Sequence, residues 1–184
     1  IECPAGSTEC YAGLGINTLQ NLGNLCYRSR VDANTTLRTG AGFYGSNNRE
    51  NISFCRRNYQ IAFENQPASA TAVSFRLMYT KAEIDNLIAT FNTANNTTKT
   101  YSDLVVLKYS GINQDLDPSN NSNISSDYVK IIPALTFYGT SNQYVFAEFF
   151  VSSYSEFYLA LTAPQNKLYV NDNNLAGDVF TTAV

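Results

Sequence analysis

The 184-residue chain contains no histidine and no tryptophan, a single methionine and five prolines, and only 15% of its residues are charged. Globular chains average about 25% charged residues. Without histidine, Ser-His-Asp and Cys-His nucleophilic centres are excluded, together with most zinc and copper sites. The formal net charge is −3 and there is no basic cluster, which argues against nucleic acid and anionic membranes as partners. No apolar run approaches the roughly 18 residues that a membrane span requires. Asn, Thr and Ser supply the polarity that charge does not, and 13 Tyr with 11 Phe favour strands over helices.

The four cysteines, Cys3, Cys10, Cys26 and Cys55, all lie in the first third of the chain. Their spacing has no C-x-x-C knuckle, so two disulfides are favoured over zinc. Three connectivities are open, and the sequential one, Cys3–Cys10 with Cys26–Cys55, would close one short and one longer loop. Disulfides imply an oxidising, extracytoplasmic setting. The chain opens on Ile1 rather than Met, which reads as a processed or excised segment.

The most aromatic stretch is YVFAEFFVSSYSEFYLAL, Tyr144 to Leu161. Val145, Ala147, Phe149 and Val151 alternate with Tyr144, Phe146, Glu148 and Phe150, and after a bend at Ser152–Ser153 the period of two resumes with Phe157, Leu159 and Leu161. Two apolar faces place such a strand in the middle of a packed sheet. Further strands are expected over ISFCRRNYQIAFE, with Phe54, Tyr59, Ile61 and Phe63 inward, and over AVSFRLMY, with Val73, Phe75, Leu77 and Tyr79 inward. DLVVLKY and Tyr128 to Tyr138 complete the set, Pro133 marking an edge or a bulge. Thr80 and Glu83 form a capping box, and Ile84, Leu87, Ile88 and Phe91 make a core-facing stripe, so a helix is expected over 81–91.

The expected fold is mainly β: a β-sandwich with one short α-helix and a disulfide-stapled, loop-rich N-terminal part. Residues 1–57 form that N-terminal part, with the Gly-rich TLRTGAGFYGSNN as a surface loop. Residues 58–163 form the sandwich core, and 164–184 a C-terminal strand arm or linker. The final run, Val179, Phe180, Thr181, Thr182, Ala183 and Val184, is apolar and β-prone where termini are usually frayed and polar, so it is expected to pair with its own sheet or a neighbouring copy.

Chemistry-bearing candidates are few. Glu148 and Glu156 could serve a carboxylate-only glycosidase, but their places in aromatic strands favour structural carboxylates. Asn113, Asp115 and Asp117 repeat at every second residue, with Asn120 beyond, and such alternating oxygens suit Ca²⁺. The missing sharp-turn Gly and closing Glu favour a plain Asx-rich turn. Six N-x-S/T sequons, at Asn34, Asn51, Asn95, Asn96, Asn120 and Asn123, are candidate glycosylation sites. Tyr and Asn together could also make a glycan-binding face, although most aromatics here follow the strand period of a core.

Residues from about Asn58 to Leu161 resemble a module of large secreted cell-surface proteins of Bacteroidetes, exported by the type IX route. The likeness rests on VSFRLMYTKAEIDNLI, DLVVLKYSGINQD, DYVKIIPALTFYG and VFAEFFVSSYSEFYL, in that order. The sorting domain that follows such modules is absent, and LYVNDNNLAGDVFTTAV looks like the linker that introduces β-helix segments in similar proteins. The resemblance implies a non-enzymatic structural subunit or repeat at the bacterial cell surface, in a filament or adhesin. The residues themselves suggest joining by β-strand complementation, with the C-terminal strand or the N-terminal segment as donor. The alternative is a carbohydrate-binding or accessory module of a larger secreted protein. Expected partners are copies of itself or neighbouring repeats and glycans, with no cofactor beyond the calcium candidate.

Overall fold

The computed structural model describes residues 14–18, 20–44, 48–65, 72–122 and 124–164. It is mainly β, with ten strands, one α-helix and two antiparallel sheets among these residues. The strands are β1 (Leu14–Asn17), β2 (Leu25–Val31), β3 (Thr36–Tyr44), β4 (Asn48–Phe63), β5 (Val73–Thr80), β6 (Val105–Tyr109), β7 (Tyr128–Ile131), β8 (Ala134–Tyr138), β9 (Tyr144–Val151) and β10 (Ser155–Pro164); helix α1 is Lys81–Asn95. One sheet has the order β1-β5-β9-β8. The other has the order β2-β4-β10-β6-β7, and β3 also pairs with β4. Since β10 pairs with β4 across both halves, β2 and β3 lie end to end along the opposite edge of β4.

The two sheets share one core. Phe75 and Phe149 of the first sheet meet Phe157 of the second, with ring centroids 5.7 and 5.3 Å apart, and Tyr79 meets Tyr59 edge-on at 5.5 Å. As expected, Val73, Phe75, Leu77 and Tyr79 alternate inward, as do Val145, Ala147, Phe149 and Val151. Both β9 and β10 are central strands, each with neighbours on two sides. The outward face of β10 carries a second cluster, in which Tyr158 and Ala160 join Ile52, Phe54, Val105, Leu107, Tyr109 and Tyr128.

Strand β4 has 16 residues and β5 has eight, so the first sheet covers only half of its inward face. Helix α1 covers the rest. It follows β5 without a loop, Thr80 being both the last strand residue and the N-cap. The β5–α1 run then tracks along β4: Phe75 stacks on Phe63, Tyr79 meets Tyr59 edge-on, Glu83 bonds Arg57, and Asn95 accepts from Asn51 at 2.6 Å. Where sheet gives way to helix, Arg57 binds Glu83 with two hydrogen bonds, Nε to Oε2 at 3.0 Å and Nη2 to Oε1 at 2.9 Å, both side chains being buried. Glu83 Oε2 also accepts the Thr80 N–H at 2.9 Å, while Thr80 Oγ1 accepts the Glu83 N–H, completing the capping box.

Several expectations are corrected. Among the described residues of the N-terminal part, Thr36–Tyr44 of the Gly-rich stretch form strand β3 instead of a loop, and β4 runs through a boundary at 57/58. Propensity alone argued against a glycine-containing strand, but the long β4 supplies a ladder for it. Phe54 points outward with the second cluster rather than inward with Tyr59, Ile61 and Phe63, because it differs from them in parity along β4. The helix runs one turn beyond Phe91, to a left-handed Asn96 cap, with Asn92 holding the following loop through Thr97 and Lys99. Tyr128 to Tyr138 is two strands in different sheets, with Pro133 at the crossover.

The disulfide expectation also fails for one pair. Cys26 and Cys55 are both free thiols, one exposed and one buried. Cys26 lies opposite Ala62, seven residues along β4 from Cys55, which is roughly 23 Å at strand rise, and a disulfide tolerates at most about 7 Å between Cα atoms. Cys3 and Cys10 lie outside the described residues.

Removing one partner of a buried, hydrogen-bonded ion pair leaves an uncompensated charge, at a cost of roughly 3–5 kcal/mol. Glu83→Ala is therefore expected to lower unfolding free energy by about that much, since it also removes half of the capping box. The double variant Arg57→Met/Glu83→Leu should recover most of the loss. Urea denaturation of the three proteins checks this, and equal stability of the single and double variants would contradict it.

Candidate functional site: the β7–β8 edge and its surroundings

The crossover at Ile132–Pro133 organises the candidate site. Three Cα steps, about 11 Å, separate Ile131 from Ala134, close to the roughly 10 Å between packed sheets. The chain therefore steps from one sheet to the other, and proline, lacking an N–H, suits a link that pairs with neither. Among the described residues β7 pairs only with β6, and β8 only with β9. Two sheet edges thus lie on one side of the molecule. Val129 and Ile131 of β7 and Leu135 and Phe137 of β8 are on the inward side of their strands, yet Val129 is 50% exposed and Ile131 and Leu135 are half-buried. Phe137 rests on the ring of Tyr101 at 5.3 Å. Ile132 at 82% and Phe150 at 65% exposed extend the apolar surface.

Charge sets this edge apart. No Asp, Glu, Lys or Arg occurs from Ile131 to Ala147. The opposite edge presents Arg28 and Arg30 on β2, and charges on edge strands oppose unplanned pairing. The sequence reading took 128–138 as one strand and so missed this open side. The Ile-Pro step flanked by two alternating runs was the available signal.

The carboxylates do not make a hydrolytic pair. Glu148 is on the outward face of β9 and Glu156 on the outward face of β10, so both sheets lie between them. Glu148 accepts from Arg76 at 2.7 Å and Ser74 at 3.0 Å, which hold it below the usual carboxylate range. Glu156 is fully buried, accepting the Leu116 N–H at 2.6 Å and the Tyr158 hydroxyl. Burial pushes its carboxyl up, against those two hydrogen bonds. Asn58 binds the Leu116 carbonyl from the next strand at 3.4 Å, and the hydroxyl of Tyr109 accepts the Ser122 N–H. Loop 110–127 is thereby docked on the outward face of the second sheet.

The calcium candidates fall in this loop. Asp115 Oδ1 accepts the Asp117 N–H and Asp117 Oδ1 accepts the Ser119 N–H, each at 2.9 Å, as in Asx turns. Asp115 Oδ2 accepts from Asn120 at 2.9 Å, Asp117 pairs with Arg30 at 3.4 Å, and Asn113 donates to the Asn120 carbonyl. The carboxylate oxygens thus face donors, and no cluster of three or more Cys, Asp or Glu that could hold a metal occurs among the described residues.

Of the sequons, Asn34 and Asn96 are exposed, the latter at the helix C-cap. Asn51 and Asn95 bond each other, Asn120 is engaged by Asp115, and Asn123 lies outside the described residues. The assembly residues Val179, Phe180, Thr181, Thr182, Ala183 and Val184 also lie outside them. No helix among the described residues is long and apolar enough to cross a membrane. Comparison with protein-family models, curated proteins and solved structures finds no match to the chain.

Two measurements follow. A carboxyl whose folded pKa is raised contributes stability that is complete below its unfolded value, near 4.3, and is lost as pH rises through the folded value. The stability of the native chain relative to Glu156→Gln should therefore fall from pH 4 upward, and a difference constant between pH 4 and 8 would refute the burial argument. Burial also pushes the Cys55 thiol up to about 12, and the thiolate is the reactive form. Iodoacetamide should label Cys26 in the native chain and Cys55 only after unfolding, read by peptide mass mapping.

Proposed function

We propose that the chain is a non-enzymatic structural unit of an extracellular assembly on a bacterial surface, a β-sandwich whose copies join by strand addition. The observation that carries this reading is the open edge of β8, which carries no charged residue, beside an open β7 whose one charge, Lys130, is turned to Thr162 on the outward face. An incoming strand could bond the edge of β8 and send alternate side chains towards Val129, Ile131 and Leu135, so that backbone bonds supply affinity and side chains set register. The occupant we assign is residues 179–184 of a neighbouring copy. Its six residues span about 20 Å extended, against about 17 Å for the five of β8, and it too is uncharged. Donor and acceptor are different surfaces, so the contact is heterologous and propagates as a filament instead of closing. Of the two sequential disulfides, only a Cys3–Cys10 staple belongs to this proposal.

The alternative, a flat glycan-binding platform of Tyr rings, is disfavoured. On the outward face of β8 and β9 the exposed Tyr138 ring stands at 83° to its neighbour Phe146, so these two rings share no flat surface.

Light scattering and negative-stain imaging test the proposal on the full chain, on a chain ending at Pro164, and on the full chain with Thr136→Lys, which puts a charge on the exposed face of the β8 edge. The full chain should form filaments or ladders, and both variants should remain monomeric. A monodisperse monomer for the full chain, or assemblies that survive both changes, would overturn strand addition.

A further inference from the structure

A cleft of about 470 Å³ lies beside the start of α1, next to the end of β8, and is lined by Thr80, Lys81 and Asp85 of the helix start and by Ser141, Gln143 and Tyr144 of the β8–β9 turn and β9. Its two walls are tied together, because the Lys81 N–H donates to the Gln143 carbonyl at 2.8 Å. The helix start is already capped by Thr80 and Glu83, so it offers little to an anion. The charges also cancel: Lys81 Nζ and the Asp85 carboxylate are 2.6 Å apart. The Tyr101 hydroxyl donates to the other Asp85 oxygen, and the Lys81 ammonium lies 5.9 Å from the Tyr101 ring. Burial, then Asp85, pushes the Tyr101 hydroxyl up to about 12, so it remains a donor. The lining therefore offers fixed donors and acceptors of zero net charge, an exposed amide and hydroxyl from Gln143 and Ser141, and one half-buried aromatic ring, Tyr144.

We propose that this cleft binds one neutral sugar ring, with Tyr144 against its apolar face and Asp85, Lys81 and Gln143 at its hydroxyls. A polyol matches a wall of alternating donors and acceptors without net charge. The aromatic ring covers carbon-bound hydrogens that a purely polar ligand would lack. The volume is in the usual range for small-ligand sites, about 300–1,000 Å³. The argument for this site does not use strand addition, and its lining does not include Val129, Ile131 or Leu135.

The test is saturation-transfer NMR on the full chain with galactose, N-acetylglucosamine and glucuronate as separate probes at millimolar concentration, the range expected for single-sugar affinities of about 1 mM. Transfer to a neutral sugar is expected, with affinity falling tenfold or more in Tyr144→Ala. The exposed change Gln143→Ala, which leaves the strand and its packing in place, should weaken binding at least several-fold and guards against a folding defect in Tyr144→Ala. No transfer to either neutral sugar, transfer to glucuronate alone, or affinities untouched by both variants would overturn the proposal.

Discussion

The fold turns on the Arg57–Glu83 contact. A 16-residue strand cannot be covered by eight-residue partners, and the chain solves this by converting β5 into a helix in mid-layer. At that junction the first turn of a helix presents orphan N–H groups against a sheet. Glu83 answers the Thr80 N–H and the Arg57 guanidinium with the same carboxylate. A capping box on a surface helix is worth about 1 kcal/mol. Here it also fixes where along β4 the helix begins, because a guanidinium fork accepts a carboxylate in few orientations. The Cys55 thiol and the rings of Tyr59 and Tyr79 pack around the pair in the same buried core.

Once that register is set, parity along β4 and β10 distributes the aromatics between two cores. Odd residues of β4 from Cys55 to Phe63 meet the first sheet and the helix, and even ones, Ile52 and Phe54, meet Tyr158 and its neighbours outside. The outward cluster requires its own cover, and part of it is loop 110–127. A loop so rich in Asn, Asp and Ser can lie on an apolar face because its internal Asx turns satisfy much of its polarity. Tyrosine hydroxyls and Glu156 bond its backbone at Ile112, Leu116 and Ser122. Leu116 takes a left-handed φ of 68° to aim its N–H at Glu156 while its side chain stays buried.

Legibility in the sequence followed the strength of local periodicity. The β5–α1 junction could be read to the residue, since alternation gives way to a helical stripe at a capping box, whereas the helix end could not. The central strands β9 and β10 were legible because both of their faces alternate. Strand β3 was hidden because its formation depends on β4 and not on its own Gly-rich residues. The two-sheet path through Ile132 and Pro133 was hidden because a crossover and a bulge look alike in one dimension. The Cys26–Cys55 pairing was plausible from spacing and fails on register, which no count of residues reveals. The cleft beside α1 joins residues sixty positions apart and has no linear signature.

The edges argue for a function more directly than any single residue does. Every open sheet has two sides to protect. On one side this protein uses a short β1, and the paired run β2–β3 with Arg28 and Arg30. On the other, the span from Ile131 to Ala147 holds no charge at all, although it contains an edge strand, a crossover with Ile132 outermost, and half-exposed Phe137 and Tyr138. In a chain that places its 27 charged residues elsewhere, an unguarded edge would invite indiscriminate association unless a strand of matching length occupies it. An uncharged, β-prone six-residue run is present in the same chain at 179–184. Its chemistry fits the β8 edge in length and charge, which is the reason to propose that edge as an acceptor.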